Sequence, residues 1–303
     1  MDIDFIGSSP AMAGVLQALR KAARCDTSVL LLGETGTGKD LAARKIHELS
    51  PRRASPFVAI NCSNLPDTLF ESELFGHTRG AFTGAVHEKA GLLDAAQNGT
   101  VFMDEIGELA LHLQAKILRL LDKRETRKIG ETQTRIVKAR FIFATNRDLY
   151  ANAVAGSFRK DLYYRINILL IRIPPLRERR EDIPHLVAHF VSRENCRSGT
   201  VKRMSSEASQ KLLDHEFPGN VRELENVVAR ACLFAEDEVI SPEDIRFDGE
   251  GSLPSGDWTR DSLQQTLRQC HWNKTKAALQ LGKSRRQLYR MLKKFRLDGK
   301  HSE

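Results

Sequence analysis

The chain has 303 residues, 41% hydrophobic and 28% charged, with 47 Lys and Arg against 39 Asp and Glu for a net charge of +8. This balance excludes a collagen, a long coiled coil and a largely disordered chain, and the length suits about two domains. No apolar run approaches the ~18 residues of a membrane span, so no membrane partner is expected. Five scattered cysteines (Cys25, Cys62, Cys196, Cys232, Cys270) without a C-x-x-C pair, behind a polar start, fit reduced thiols in a cytoplasmic protein.

Short apolar runs alternate with helical periodicity through the first 175 residues. The runs are 29–32, 58–60, 101–103, 141–144 and 168–173, and helical stretches at 12–23, 41–49 and 113–121 lie between them. Buried-type strands separated by helices predict an α/β core with a parallel sheet. From Asp182 to about Ile245 the pattern is helical without strands, a small lid-like subdomain. Within it His185 and His189 stand i,i+4 but lack a third ligand, and the alternating run 177–182 reads as solvated surface or subunit contact. Residues 248–256, rich in Gly, Ser, Asp and Pro, read as a linker. The expected domains are 1–176, 177–247, the linker 248–256, and a tail at 257–303.

The strongest local signal is Gly33-Glu34-Thr35-Gly36-Thr37-Gly38-Lys39-Asp40, directly after the first run and before a helix. Glycines let the backbone turn tightly and aim several N–H groups at one phosphate. The helix start adds its positive end, and Lys39 supplies charge for the outer phosphates. Asp40 stands where a Ser or Thr usually offers Mg²⁺ a hydroxyl, so a carboxylate would hold the ion there, directly or through water. Gly99 to Glu105 then form an apolar strand ending in two carboxylates. Asp104 suits Mg²⁺ and Glu105 suits an attacking water. Asn146, at another strand end, is placed as a polar probe near the γ-phosphate. These residues predict nucleotide hydrolysis.

The net charge sits in the tail. Residues 1–256 hold 35 basic and 35 acidic side chains, and residues 257–303 hold 12 and 4. Residues 261–270 carry a helix face at 263, 267 and 270, 274–281 form a second short helix, and Ser284 has N-cap chemistry for a third at 285–295. On that third helix Leu288, Met291, Leu292 and Phe295 face inward. Arg285, Arg286, Gln287, Tyr289, Arg290, Lys293 and Lys294 remain for DNA. Helix, glycine turn and basic helix make a helix-turn-helix layout, with Trp258 and Trp272 expected in its small core.

One further segment, Gly80-Ala81-Phe82-Thr83-Gly84-Ala85, reads either as an ordinary turn with Phe82 buried or as a hinged loop with an exposed aromatic tip. Together with the phosphate loop, Glu71-Ser72-Glu73-Leu74-Phe75-Gly76-His77, Phe158-Arg159-Lys160-Asp161-Leu162-Tyr163-Tyr164-Arg165 and Pro218-Gly219-Asn220-Val221-Arg222-Glu223-Leu224, it resembles the bacterial enhancer-binding proteins. These are AAA+ ATPases that activate RNA polymerase carrying sigma-54. The resemblance runs from about Ile6 to Ile245, and the tail is similar to the family's Fis-type DNA-binding domain.

The resemblance implies an AAA+ parallel-sheet P-loop core with a helical lid, ATP and Mg²⁺ as cofactors, and sigma-54 polymerase and enhancer DNA as partners. It identifies residues 33–40 as Walker A and Asp104 with Glu105 as Walker B. Asn61 would restrain the catalytic glutamate, Asn146 would be sensor I, and Arg222 sensor II. Arg159 and Arg165 would reach into a neighbouring subunit's site, which implies self-assembly from dimers to a ring, usually a hexamer. Residues 80–85 would grip sigma-54. Because the core begins within a few residues of Met1, the resemblance also implies a form without the usual N-terminal regulatory domain, either controlled by a separate regulatory protein or cut from a longer chain. Two rivals are a repressor-like regulator in which nucleotide only sets assembly, and a general remodelling chaperone. The complete Walker B pair and Phe82-Thr83 oppose the first, and the tail opposes the second.

Overall fold

A computed structural model describes residues 5–63, 65–82, 84–247, 260–270 and 272–280, together with Leu288 and Leu292. The five apolar runs form one parallel sheet of β1 (Val29–Leu32), β2 (Phe57–Asn61), β3 (Thr100–Asp104), β4 (Arg140–Thr145) and β5 (Leu169–Arg172), in the order β2-β3-β4-β1-β5. Alternate side chains leave opposite faces of a strand, and here both faces are covered. Leu30, Val101, Met103, Phe141 and Phe143 pack under the helices Asp67–Phe75 and Leu111–Lys123. Val29, Leu31, Phe102, Ile142, Ala144 and Ile171 pack under the helices Pro10–Ala23 and Lys39–Glu48. Two-sided burial is the reason the inner runs, β1, β3 and β4, are continuously apolar and not alternating, whereas the edge strands β2 and β5 keep exposed positions at Ala59 and Leu170.

Helix Pro10–Ala23 starts where Ser9 Oγ accepts from the Met12 amide and Pro10 occupies the first turn, and it ends on Arg20 and Lys21, favourable charges for a C-terminus. Two antiparallel strand pairs interrupt the layered core. Gly76–His77 pairs with Lys89–Ala90, and Glu125–Thr126 pairs with Arg135–Ile136. Two-residue strands leave no periodic signature, so neither pair was legible in the sequence.

The lid holds the helices Ile183–Ser198, Ser206–Asp214 and Asn220–Phe234. The expectation of a lid without strands is corrected. Arg203–Met204 and Val239–Ile240 pair in parallel, with the Arg203 amide donating to the Glu238 carbonyl. Core and lid belong to one compact unit that ends at Asp244, and a second unit begins at Ile245.

In the second unit, helices Arg260–Gln269 and Lys274–Gln280 bury Leu263, Leu267, Cys270, Ala277 and Ala278 with Leu288 and Leu292. The predicted inward positions 263, 267, 270, 288 and 292 are therefore core. Trp272 is 41% exposed, so it lies outside that core, contrary to expectation. Trp258 and the candidate DNA contacts Arg285, Arg286, Gln287, Tyr289, Arg290, Lys293 and Lys294 lie outside the described residues, as does Thr83. Among the described residues no helix is long and apolar enough to cross a membrane.

Candidate functional site

The parallel sheet brings the carboxyl ends of β1, β3 and β4 to one edge, where open α/β sheets form their sites. Leu32 stands beside Thr145 in register, and the Gly33 amide donates to the Thr145 carbonyl at 3.2 Å. The chain then makes the phosphate-type loop and enters helix Lys39–Glu48. Gly36 and Gly38 adopt φ +80° and +99°, a region that side chains disfavour. At Gly36 a Cβ would also lie 2.3 Å from the Gly219 carbonyl oxygen, so only glycine allows the lid this close. Lys39 is 6% exposed and folds back under the loop, its Nζ donating to the carbonyls of Gly33 (2.9 Å) and Glu34 (3.2 Å).

At the end of β3 the backbone turns sharply. Glu105 takes the left-handed conformation at φ +53° and starts a 3-10 turn, Ile106–Glu108. Its carboxylate lies 3.9 Å from Lys39 Nζ. Burial raises the Glu105 pKa, and the charges of Asp104 and Glu108 add to that, while Lys39 and the Asn146 amide oppose it. The Asp104 carboxylate accepts from the Glu105 amide at 2.9 Å. Asn61 is the register partner of Asp104 on β2, and its amide oxygen accepts from Ser63 N (2.8 Å) and Ser63 Oγ (2.7 Å). Asn146 donates from Nδ2 to Thr35 Oγ1 at 3.3 Å.

Thr35, Gly36, Thr37, Gly38, Lys39 and Asp40 line a cavity of about 530 Å³ with Asn61, Asp104 and Glu105, and the lid contributes Arg222, Glu225 and His189. Gly33, Glu34 and Asn146 line a neighbouring cavity of about 820 Å³ on the other side of the loop. The predicted residues thus converge from β1, β2, β3, β4 and the lid. Arg159 and Arg165 line neither cavity. Arg159 is paired with Asp161 at 2.6 Å, and Arg165 with Asp122 at 3.0 Å.

The charge run 177–182 is solvated surface only in part: Arg177, Glu178, Arg180 and Glu181 are exposed, but Arg179 and Asp182 are buried, which corrects the expectation at those two positions. Arg177 forks onto Glu34 (2.8 and 2.6 Å), and Arg179, buried, donates to the Thr37 carbonyl at 3.0 Å. Buried Asp182 accepts from the amides of Ser8 and Ser9 and from Ser9 Oγ. These residues tie the first helix, the loop and the lid together, and sequence reasoning missed them. An alternating charge run has no local signal that separates it from an exposed face.

The segment 80–85 lies in the connection between the strands Gly76–His77 and Lys89–Ala90. The Gly80 amide donates to the Ala85 carbonyl at 2.8 Å, closing the loop on itself. Phe82 is 44% exposed, which decides between the two sequence readings in favour of the exposed aromatic. Its ring stands edge-on to His77 with centroids 5.0 Å apart, and His77 Nδ1 is bonded to Ser72 Oγ at 2.8 Å. Gly80 (φ +80°) and Gly84 (φ +102°) have open space where a Cβ would go.

A sequence family described as the sigma-54 interaction domain matches residues 5–172, more than half of the chain. The chain belongs to the sigma-54-dependent transcription activators. In these activators the sigma-54 domain is an AAA+ ATPase domain, and an AAA+ ATPase lid domain follows at residues 177–257. A Fis-family bacterial regulatory domain, which carries the helix-turn-helix, matches residues 260–295. Among relatives, this activator is 42% identical to the response regulator protein PilR of Pseudomonas aeruginosa, over 98% of this chain and 71% of that protein. It is 43% identical to the Nif-specific regulatory protein of Azotobacter vinelandii and 44% to that of Klebsiella pneumoniae, spanning 57% of each. Among solved structures it resembles NtrX of Brucella abortus in complex with ADP, with TM-score 0.76 and 28% identity over 97% of this chain and 69% of that one. NtrX has also been solved in complex with ATP, with TM-score 0.75 and 29% identity over 96% of this chain and 69% of that one.

Proposed function

We propose that this activator binds enhancer DNA through its tail, assembles as a ring, and uses ATP hydrolysis to drive residues 80–85 against closed-complex polymerase carrying sigma-54. The observation that carries the reading is the convergence of Lys39, Asp104, Glu105 and Arg222 around one cavity, which the exposed Phe82 does not line. Residues 1–176 form the ATPase core, 177–247 the lid, 248–256 the linker and 257–303 the DNA-binding domain.

The loop amides of residues 33–38 and Lys39 bind the phosphates, and Arg222 closes the site from the lid. Glu105 orients and deprotonates the attacking water. Its desolvation supports that role, because a base whose pKa lies nearer neutrality transfers protons more efficiently. Asn146 senses the γ-phosphate through the Thr35 side of the loop, and Asn61, the register partner of Asp104, restrains the base one residue further on. Asp40 and Asp104 line the cavity as hard oxygen donors and fit Mg²⁺, in part through water, which would neutralise phosphate charge. Arg159 and Arg165 line neither cavity of their own subunit, which supports their delivery to a neighbour's site in a ring. The test is ATP-dependent open-complex formation by sigma-54 polymerase at an enhancer-linked promoter. Stimulation by the protein is expected, and none at any concentration would refute the activator reading.

Removing residues 257–303 should separate DNA targeting from the motor. The deletion discards the whole excess of +8 and leaves Lys39, Asp104 and Glu105 in place. Each neutralised phosphate contributes about 0.9 to the slope of log K against log[salt], so the intact protein should bind with a steep slope and the fragment weakly and almost independently of salt. Electrophoretic mobility shifts across a salt series measure both. Specific, salt-sensitive binding by the fragment would contradict assignment of the tail as DNA reader.

A further inference from the structure

Glu34 belongs to the phosphate loop by sequence, yet its carboxylate engages neither Lys39 nor the cavity lined by Asp104 and Glu105. It accepts both arms of Arg177 (2.6 and 2.8 Å) from the segment leading into the lid, and Asn220 Nδ2 at 3.1 Å from the lid itself. This pairing holds the Glu34 carboxyl down at about 2, so it stays ionised throughout the working pH range. Asn220 is fully buried and sits at φ +56°. Its amide also donates to the Thr35 carbonyl at 3.1 Å, and its oxygen accepts from the Leu176 amide at 2.8 Å. In the two residues that follow, the amides of Val221 (3.0 Å) and Arg222 (3.3 Å) donate to the Gly36 carbonyl. Three consecutive loop residues, 34 to 36, are therefore fastened to the turn of helix that presents Arg222.

We propose that Glu34, Arg177 and Asn220 form a clasp that fixes the lid's Arg222 relative to the phosphate loop, making Glu34 a positioning residue for turnover. The proposal rests on the ATPase reading for its effect on rate. An exposed ion pair contributes little by itself. The buried amide of Asn220, which spends its donors and its acceptor on both sides of the joint, turns that pair into a constraint on geometry. Loosening it leaves the loop amides and Lys39 free to bind phosphate, but lets the lid arginine wander from the reacting group.

The test uses Glu34→Ala, Arg177→Ala and the double variant in the full-length protein. Hydrogen exchange without nucleotide should quicken at the Val221 and Arg222 amides by about tenfold in each single variant, and no further in the double, because one joint is being opened. Turnover should fall about tenfold with the ATP dissociation constant moved less than about threefold, a split that general destabilisation would not produce. Glu34→Gln, which keeps an acceptor for Asn220, should recover part of the loss. Unchanged exchange in Glu34→Ala, additive effects in the double, or a loss confined to affinity would overturn the clasp. If the wild-type protein hydrolyses no ATP, the ATPase reading falls, and exchange measured without nucleotide still decides whether the clasp exists.

Discussion

Glu105→Ala should bind ATP and fail to turn it over, whereas Lys39→Ala should lose the nucleotide itself. The two side chains are 3.9 Å apart but serve different steps. Lys39 lies under the loop with its charge at the phosphate cradle, where its Nζ donates to the carbonyls of Gly33 and Glu34. Glu105 acts on water, so its loss should cost about 10²- to 10⁴-fold in kcat, the usual worth of a positioned general base, with affinity nearly unchanged. Titration with a fluorescent ATP analogue measures binding, and phosphate release measures chemistry. Equal loss of affinity in both variants would remove Glu105 from the role of base.

The pH dependence follows from the same carboxylate. Burial raises its pKa, so the base becomes protonated, and activity falls, at a higher pH than it would for an exposed glutamate. The effect on stability has the opposite sense. A carboxyl raised by folding is ionised more readily in the unfolded chain, so it opposes folding above its native pKa and not below its unfolded one. Glu105→Gln should therefore be no less stable than wild type at neutral pH, and urea unfolding at several pH values checks this.

Thr83→Ala and Phe82→Ala should hydrolyse ATP at near wild-type rates and fail to activate transcription. The segment 80–85 is closed by the Gly80 to Ala85 hydrogen bond, and none of its described residues, Gly80, Ala81, Phe82, Gly84 and Ala85, lines either cavity beside the phosphate loop. Phe82 is half-exposed against His77, so truncation removes little core and should leave the fold intact. What it removes is an apolar tip on glycines with left-handed φ and open space around them, the features of a loop that moves against a partner. Activation of a sigma-54 promoter, measured beside phosphate release, separates the two activities. Wild-type activation by either variant would refute the loop as the contact with sigma-54.

Much of this protein is written in contiguous stretches, and those stretches were legible. The turn Gly33–Gly38 and Lys39 state a phosphate cradle because tight backbone and adjacent helix start are local properties. The inner strands β1, β3 and β4 announced themselves because burial on both faces makes a run apolar from end to end, and the edge strands β2 and β5 were legible as short apolar runs although one face is partly open. That same uniformity conceals order. Nothing in 58–60 or 141–144 says which neighbour a strand takes, and only the folded sheet puts β4 between β3 and β1, with Thr145 and Asn146 beside the loop. Exposure of Phe82 was open for a like reason, since a short turn of small residues has the same sequence whether its aromatic is covered or not. The fastening of loop to lid was hidden most completely. Arg177 and Asn220 meet Glu34 across separations of 143 and 186 residues. A charge among alternating charges carries no mark of its partner, and an asparagine in a turn none of its burial. Periodicity and spacing encode what a chain does within a turn or a strand, while ion pairs, buried amides and the faces that meet depend on how the lid docks.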